Sequence, residues 1–337
     1  MKDTQINNSI CAIGILSIIL FSGCCKNDLP DSTVYGNITM IAASEETIAY
    51  GKKRYPPEDK AIFTKDGYPA FLEYLKSRGE DLNLGFTGKL QFELDSTLVC
   101  GRKVYSFGAQ DYDRIILYIH GGAYAINAYQ AHFEMAKDIA DKIGRTRVVL
   151  PVYPLAPQHN WSDSFELLDK LYAGMLNEKK PVIIMGDSAG GGLSMAFCQH
   201  LYLSGRPLPH RRILLSPWLD ITFANPEAET IEPRDLMLGI YGLKQLGLIW
   251  KGDLEETDYR VSPLFGEFED RIPTMIVVGT NEIMLPDCNT AYNRLVARKC
   301  RTTMVYGIGL WHVFPTSATP EAVEAKKLIA DFCRNSD

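Results

Sequence analysis

Apolar runs of strand length alternate with amphipathic stretches along most of the chain after residue 114. The runs that predict strands lie at 115–119, 148–152, 182–185, 213–215, 274–278 and 302–306. Apolar positions at helical spacing lie between them, at 136–143, 162–177 and 193–203, and a closing helix is predicted at 321–333. Ahead of this alternation, residues 88–94 and 98–105 predict an opening pair of strands joined by a short polar turn. The pattern predicts an α/β fold with a mostly parallel central sheet flanked by helices.

Two stretches interrupt this alternation. Residues 45–80 carry two helical patches that precede the sheet and are able to cover part of it. Residues 222–259 separate two predicted strands by far more than an ordinary loop, and they contain a helical stretch of their own at 236–250. We expect both stretches to form a helical cap over a site at the strand ends, within a single domain that spans residues 45–337.

The first residues of the chain have a different character. Residues 10–21 are almost wholly apolar, too few to span a bilayer comfortably, and are followed by two small residues and Cys24. This arrangement resembles a bacterial lipoprotein signal, which implies that residues 1–23 are removed and that Cys24 carries a lipid. The polar residues that follow predict a tether at 24–44. The protein would then be exported to a periplasmic or cell-surface face and held at a membrane by its lipid only. An ordinary signal peptide cut nearby and an uncleaved anchor are the alternatives.

Composition narrows the classes of partner and cofactor. The chain has 337 residues and a net charge of −6, with both signs interspersed and no basic stripe, so we expect no nucleic-acid partner. The cysteines outside the N-terminal segment show no C-x-x-C spacing, which argues against a zinc or redox site. Cys288 and Cys333 fall on the apolar faces of their predicted helices and are expected to be buried thiols. We expect neither a metal nor an organic cofactor, and the oligomeric state stays open.

Ser188 is the candidate nucleophile. It lies between Gly186 and Gly190 in a G-x-S-x-G pattern that follows a predicted strand and precedes a predicted helix. A strand packed tightly against a helix forces the serine into a strained turn, which exposes its hydroxyl and requires small neighbours. Glycine-flanked serines also occur in ordinary tight turns between strands and helices, so the assignment depends on finding partners.

A serine hydroxyl needs a neighbouring base to take its proton. His312 is the candidate, because it lies in a loop after the last predicted strand, where its side chain is able to reach the carboxyl edge of the sheet. We expect surface positions for His200 and His210, and we rank His132 and His159 below His312.

The base in turn needs a carboxylate that fixes the imidazole tautomer. Glu282 lies at the end of the strand predicted at 274–278, where such a group belongs. Asp287 lies just inside the following helix, where a carboxylate also has the ordinary role of offsetting the positive helix end. We prefer Glu282 and keep Asp287 as the alternative acid.

Backbone donors for an oxyanion are predicted after the strand at 115–119. Gly121 and Gly122 allow the backbone to approach a substrate closely, and the N–H group of Ala189 is expected to complete the hole. His120 is expected to support this loop.

Several motifs together resemble the hormone-sensitive-lipase-like branch of the α/β-hydrolase esterases. They are His-Gly-Gly-Ala at 120–123, Tyr-Pro-Leu-Ala-Pro at 153–157, Gly-Asp-Ser-Ala-Gly-Gly at 186–191, Ser-Pro-Trp-Leu-Asp at 216–220 and Trp-His at 311–312. The resemblance covers the chain from about residue 115 and implies an α/β-hydrolase fold and a serine carboxylic ester hydrolase that acts on small or medium acyl esters through an acyl-enzyme.

Carried over by position, the resemblance makes Ser188 the nucleophile and His312 the base, with Gly121, Gly122, Ala123 and Ala189 around the oxyanion hole. Two residues depart from the usual motifs: Ala123 replaces a third glycine, and glutamate stands at 282 where aspartate is common. An amidase or peptidase with the same triad stays open as an alternative, as does a non-catalytic small-molecule-binding protein on a hydrolase scaffold.

Overall fold

One sheet organises the molecule. The computed structural model describes residues 35–79 and 90–334. Its strands are β1 (Gly36–Ala42), β2 (Asp95–Val99), β3 (Arg102–Gly108), β4 (Arg114–Ile119), β5 (Thr146–Pro151), β6 (Val182–Asp187), β7 (Arg211–Leu215), β8 (Thr274–Gly279) and β9 (Thr302–Ile308). In the described residues they form a nine-stranded sheet in the order β1-β9-β8-β7-β6-β4-β5-β3-β2. All neighbouring pairs from β1 to β5 are parallel, and β3 and β2 join antiparallel. The predicted α/β class is confirmed.

Helices cover both faces of the sheet. They are α1 (Glu45–Arg54), α2 (Pro57–Lys60), α3 (Tyr68–Arg78), α4 (Gln130–Ile143), α5 (Trp161–Asn177), α6 (Ser188–Leu203), α7 (Glu227–Ile231), α8 (Ile240–Trp250), α9 (Leu285–Ala297) and α10 (Pro320–Arg334), with 3₁₀ turns at Ala61–Phe63, Glu232–Arg234, Pro263–Phe265 and Phe314–Thr316. Alternate residues of β4 enter different cores: Ile115 and Leu117 pack on one face, Ile116 and Tyr118 on the other. A strand buried on both faces must be apolar throughout, which is why β4 is a continuous apolar run.

No helix of the described residues has the length and apolar character needed to cross a membrane. The signal sequence predicted at 1–23, the lipid site at Cys24 and the first part of the predicted tether lie outside the described residues. Cys288 and Cys333 are buried free thiols, as expected from the apolar faces of their helices.

The edges of the sheet differ from the sequence predictions. Residues 36–42, which were predicted as part of a tether at 24–44, form β1 and pair along their whole length with β9. At the other edge, the hairpin turn lies at Cys100 and Gly101, whose φ angles are 50° and 72°, so β2 and β3 are shifted toward the C-terminus relative to the predicted pair. Strand β2 is almost wholly exposed. Edge strands bury little side-chain surface, so hydrophobic patterning specifies them weakly.

Glu321 at the start of α10 fixes the N-terminal segment to the body. Its carboxylate accepts hydrogen bonds from the N–H of Ser44 at 2.8 Å and the hydroxyl of Thr47 at 2.6 Å. Farther along α1, Gly51 faces Trp311 so closely that an added Cβ would lie 2.4 Å from the indole ring. Helix α1 therefore sits directly against the residue that precedes His312.

Substitution Glu321→Ala should lower the free energy of unfolding by about 1–3 kcal/mol, because the buried hydroxyl of Thr47 and the partly buried N–H of Ser44 lose their acceptor. The exposed Glu324 of the same helix supplies the control, and Glu324→Ala should leave stability nearly unchanged.

Burial alone would raise the pKa of Glu321, but the hydrogen bonds from Thr47 and Ser44 outweigh burial and lower this pKa. The carboxylate therefore stabilises the fold above its unfolded pKa, and this contribution disappears on acidification. Denaturant unfolding at neutral and acidic pH measures both effects; equal losses in the two variants would contradict the anchoring role.

Candidate active site

Ser188 occupies a tight turn between β6 and α6. Its φ angle is +51°, in the left-handed region that residues with a side chain rarely adopt. A Cβ added to Gly190 would lie 2.1 Å from the carbonyl oxygen of Ile119, and one added to Gly186 would lie 2.3 Å from that of Gly190. Only glycine fits at both positions. The turn holds Ser188 at the first position of α6, with 8 % of its surface exposed.

Two loops at the same edge of the sheet bring His312 and Glu282 together. Nδ1 of His312 lies 2.6 Å from Oε2 of Glu282, and both side chains are buried. Because the partner of Nδ1 is a carboxylate, Nδ1 is assigned the proton and Nε2 remains available as the basic nitrogen. Ser188 and His312 line the same cavity. No hydrogen bond within the described residues joins their side chains.

Asp287 stays apart from this pair. It is 4 % exposed, and within the described residues its Oδ1 atom has no hydrogen-bond partner. Burial, together with the charge of Asp220, raises the pKa of Asp287 to about 7. Of the two acids predicted from the sequence, the structure therefore pairs Glu282 with the imidazole.

The surroundings of His312 favour its protonated form. Burial alone would lower the pKa of His312, but the carboxylates of Glu282, Asp235 and Asp187 outweigh it and raise that pKa. A histidine in this position is able to accept a proton during a reaction and hold it as a stabilised imidazolium.

Ser216, which was not predicted as a site residue, completes the hydrogen bonding of Glu282. Its hydroxyl donates to Oε1 of Glu282 at 2.7 Å and accepts the N–H of Val313 at 3.0 Å. The N–H of Gly279 donates to the same Oε1 atom at 2.6 Å. The position of Ser216 immediately after β7 was the available signal, because the carboxyl ends of parallel strands meet at one edge.

The glycine loop after β4 differs from its predicted role in one residue. The N–H of Gly121 was predicted to face an oxyanion, but it donates to Oδ1 of Asp187 at 2.9 Å. Within the described residues, the N–H groups of Gly122, Ala123 and Ala189 have no hydrogen-bond acceptor. The glycine at 121 is still required, since an added Cβ would lie 2.2 Å from the Asp187 carboxylate.

Asp187 accepts the hydrogen bond from Gly121 because a buried carboxylate is stabilised by several hydrogen-bond donors. Besides Gly121, Tyr118 donates its hydroxyl at 2.5 Å, and Nε2 of His132 lies 3.3 Å away. Burial alone would raise the pKa of Asp187, but His132 and Tyr118 outweigh it and lower that pKa. His132, which was ranked low from the sequence, thus supports the residue next to Ser188.

His120 supports the loop as a neutral side chain. Burial and the nearby His132 lower the pKa of His120 to about 3. Its Nδ1 lies 2.6 Å from the carbonyl oxygen of Gly121, and its ring stacks on Tyr153 with the centroids 4.4 Å apart.

A cavity of about 440 Å³ opens above Ser188 and His312. Tyr50 and Phe63 from the N-terminal stretch line one part of it, and Met237 and Leu238 from the insertion line another. Both stretches expected to act as a cap thus contribute to its walls.

Comparison with known proteins gives consistent matches. Residues 116–316 match a family model described as alpha/beta hydrolase fold. An esterase of Acinetobacter venetianus is 30 % identical over 231 residues, which cover 66 % of this chain and 76 % of the relative. An acetyl-hydrolase of Streptomyces hygroscopicus is 26 % identical, with the same shares covered. The crystal structure of an esterase from the bacterial hormone-sensitive lipase family superposes with a TM-score of 0.74 at 24 % identity, over 87 % of this chain and 98 % of that one, and supports the fold.

Substitution Glu282→Gln should lower the pKa of His312, because it removes the neighbouring charge that raises this pKa and leaves the opposing burial in place. Asp287→Asn is the matched control and should leave the pKa of His312 near its wild-type value. Titration of the imidazole signals by NMR measures both. A larger shift in the Asp287 variant would move the acid assignment to that residue.

Proposed function

Because the chain belongs to the alpha/beta hydrolase fold family and is a carboxylic ester hydrolase, we propose that Ser188, Glu282 and His312 are its catalytic triad. The 2.6 Å hydrogen bond between Glu282 and His312, beside the cavity that Ser188 lines, is the observation that supports these roles most directly. The amidase and binding-protein alternatives have no comparable support.

In the first half of the reaction, Nε2 of His312 takes the proton of the Ser188 hydroxyl as its oxygen attacks the ester carbonyl carbon. The carbonyl oxygen becomes an oxyanion, which accepts hydrogen bonds from the N–H groups of Gly122, Ala123 and Ala189. The carbon–oxygen bond to the alcohol then breaks, and protonated His312 gives its proton to the departing alkoxide. The acyl group remains on Ser188.

In the second half, water replaces the alcohol. His312 takes a proton from the water as its oxygen attacks the acyl-enzyme, and the collapse of the second tetrahedral intermediate returns that proton to Ser188. Glu282 remains ionised throughout. It holds the imidazole in one tautomer and stabilises the positive charge that His312 acquires twice in each cycle.

The acyl groups we propose are small or medium in length. A cavity of about 440 Å³ must hold both the acyl and the alcohol parts of the ester. The methyl group of Ala123 adds bulk beside Ser188, at a position where the family motif usually has glycine. The relative from Streptomyces hygroscopicus carries the name acetyl-hydrolase, which agrees with a short acyl group.

We also propose that the enzyme is exported and held at a membrane by a lipid on Cys24. The support is the sequence alone: an apolar stretch at 10–21, small residues before the cysteine, and a polar segment after it. Lipid anchoring would leave the hydrolase domain outside the bilayer.

Ser188→Ala should reduce kcat on short-chain aryl esters by roughly four orders of magnitude or more, because no other group supplies the nucleophile. Ser194 of the same helix is the matched control. Its hydroxyl donates to the carbonyl of Gly190 at 2.7 Å, and Ser194→Ala should retain most of the activity. Hydrolysis is followed spectrophotometrically over a series of acyl lengths. Wild-type turnover by the Ser188 variant would rule out the nucleophile assignment.

For the proposed anchor, the mature protein purified from membranes should begin at Cys24 and carry the additional mass of acyl chains. Cys24→Ala should prevent this modification and release the protein from the membrane fraction. Intact mass measurement and fractionation test the two statements together. An unmodified Cys24 in the mature protein excludes the lipid anchor.

A further inference from the structure

Asp235 is a buried carboxylate on the insertion at 222–259, and only 3 % of its surface is exposed. Its Oδ1 atom accepts the N–H groups of Met237 and Leu238 at 2.8 and 2.9 Å. Its Oδ2 atom accepts the N–H of Ile283 at 2.9 Å. All three partners are donors, which suits the ionised carboxylate, although burial raises the pKa of Asp235.

The bond to Ile283 links the insertion to the proposed triad. Ile283 directly follows Glu282, so the position of its N–H fixes the turn that carries the acid. The two local bonds hold the backbone of Met237 and Leu238, whose side chains line the cavity. One carboxylate therefore positions both a cavity wall and the acid turn.

Lys60 at the end of α2 joins the N-terminal part of the cap to the same turn. Its ammonium group donates to the backbone carbonyl oxygens of Glu232 at 2.5 Å and Asp235 at 3.0 Å. Residues from both parts of the cap thus meet at Asp235.

Asp235 also acts on the charge of His312. Glu282 from the acid turn, Asp235 from the insertion and Asp187 from β6 all favour the imidazolium. The interaction is mutual, since His312 favours the ionised form of Asp235. Arg54 and Asp59 of the N-terminal stretch line the same cavity with opposite charges.

Comparison with Asp220 distinguishes a role of Asp235 in its own turn from a role in positioning the Glu282 turn. Asp220 is 1 % exposed and also accepts three hydrogen bonds, from the N–H and hydroxyl of Thr222 and the N–H of Ala224. These partners lie within four residues of it, whereas Ile283 lies 48 residues from Asp235. Within the described part of the chain, Asp220 is thus a buried turn-forming carboxylate whose side chain accepts no long-range bond.

We propose that Asp235 is a positioning residue for ester hydrolysis, which fixes the Glu282 turn through Ile283 and stabilises the His312 imidazolium from the side of the cap. This inference rests on the proposed roles of Ser188, Glu282 and His312. It makes the insertion part of the catalytic machinery as well as a wall of the substrate cavity.

The test compares Asp235→Asn with Asp220→Asn in the full-length enzyme on a short-chain aryl ester. Asp235→Asn should lower kcat about tenfold or more, with KM changed less than about threefold, because it weakens transition-state stabilisation more than ground-state binding. The acid limb of kcat/KM should shift to lower pH, since loss of a nearby negative charge lowers the pKa of the His312 base. Asp220→Asn should leave that limb at its wild-type position.

Asp235→Ser, which keeps one acceptor oxygen and removes the charge, provides the same comparison if the Asn variant does not fold. An unshifted acid limb in the Asp235 variants, or an equal shift in Asp220→Asn, would overturn the inference. Thermal unfolding of each variant separates a loss of active protein from a loss of kcat. Full activity in Ser188→Ala would instead refute the proposed triad, so the two failures are distinguishable.

Discussion

The hydrogen bond between Glu282 and His312 joins two groups that are almost completely removed from water, and this burial constrains the loops around them. A buried charge is costly unless it is paired and its remaining lone pairs are satisfied. Ser216 after β7 and Gly279 at the end of β8 provide the donors to Glu282. Ser216 also holds the backbone next to His312. The hydrogen bonds that stabilise the Glu282 carboxylate thus fix the loops after β7, β8 and β9 to one another.

The core of the fold and the convergence of the site could be predicted from sequence, whereas hydrogen-bond partners could not. Continuous apolar runs are distinctive of parallel strands buried on both faces, and the carboxyl ends of such strands meet at one edge. Ser188, Glu282 and His312 each follow a strand, so their meeting was accessible. The hydrogen bond from the Gly121 N–H to Asp187 could not be predicted, because it depends on which donors surround the buried carboxylate in the folded structure.

The cap is connected to the body by specific polar contacts as well as by packing. Helix α1 is held at its start by Glu321 and lies against Trp311. The insertion is held by Asp235 at the turn that follows β8. Both connections end within one residue of a proposed triad member, since Trp311 precedes His312 and Ile283 follows Glu282. Substrate selection and the alignment of the triad consequently share the same structural supports.

Strand β1 sets where the hydrolase domain can be shortened. A recombinant protein that started at residue 45, the boundary suggested by hydrophobic patterning, would lack all seven residues of β1, which cover one edge of β9. The backbone edge of β9 would become available to strands of other molecules, which favours aggregation. The same truncation would remove Ser44, the N-cap of α1, and with it one of the two bonds to Glu321. Soluble versions of this enzyme should therefore begin before Gly36.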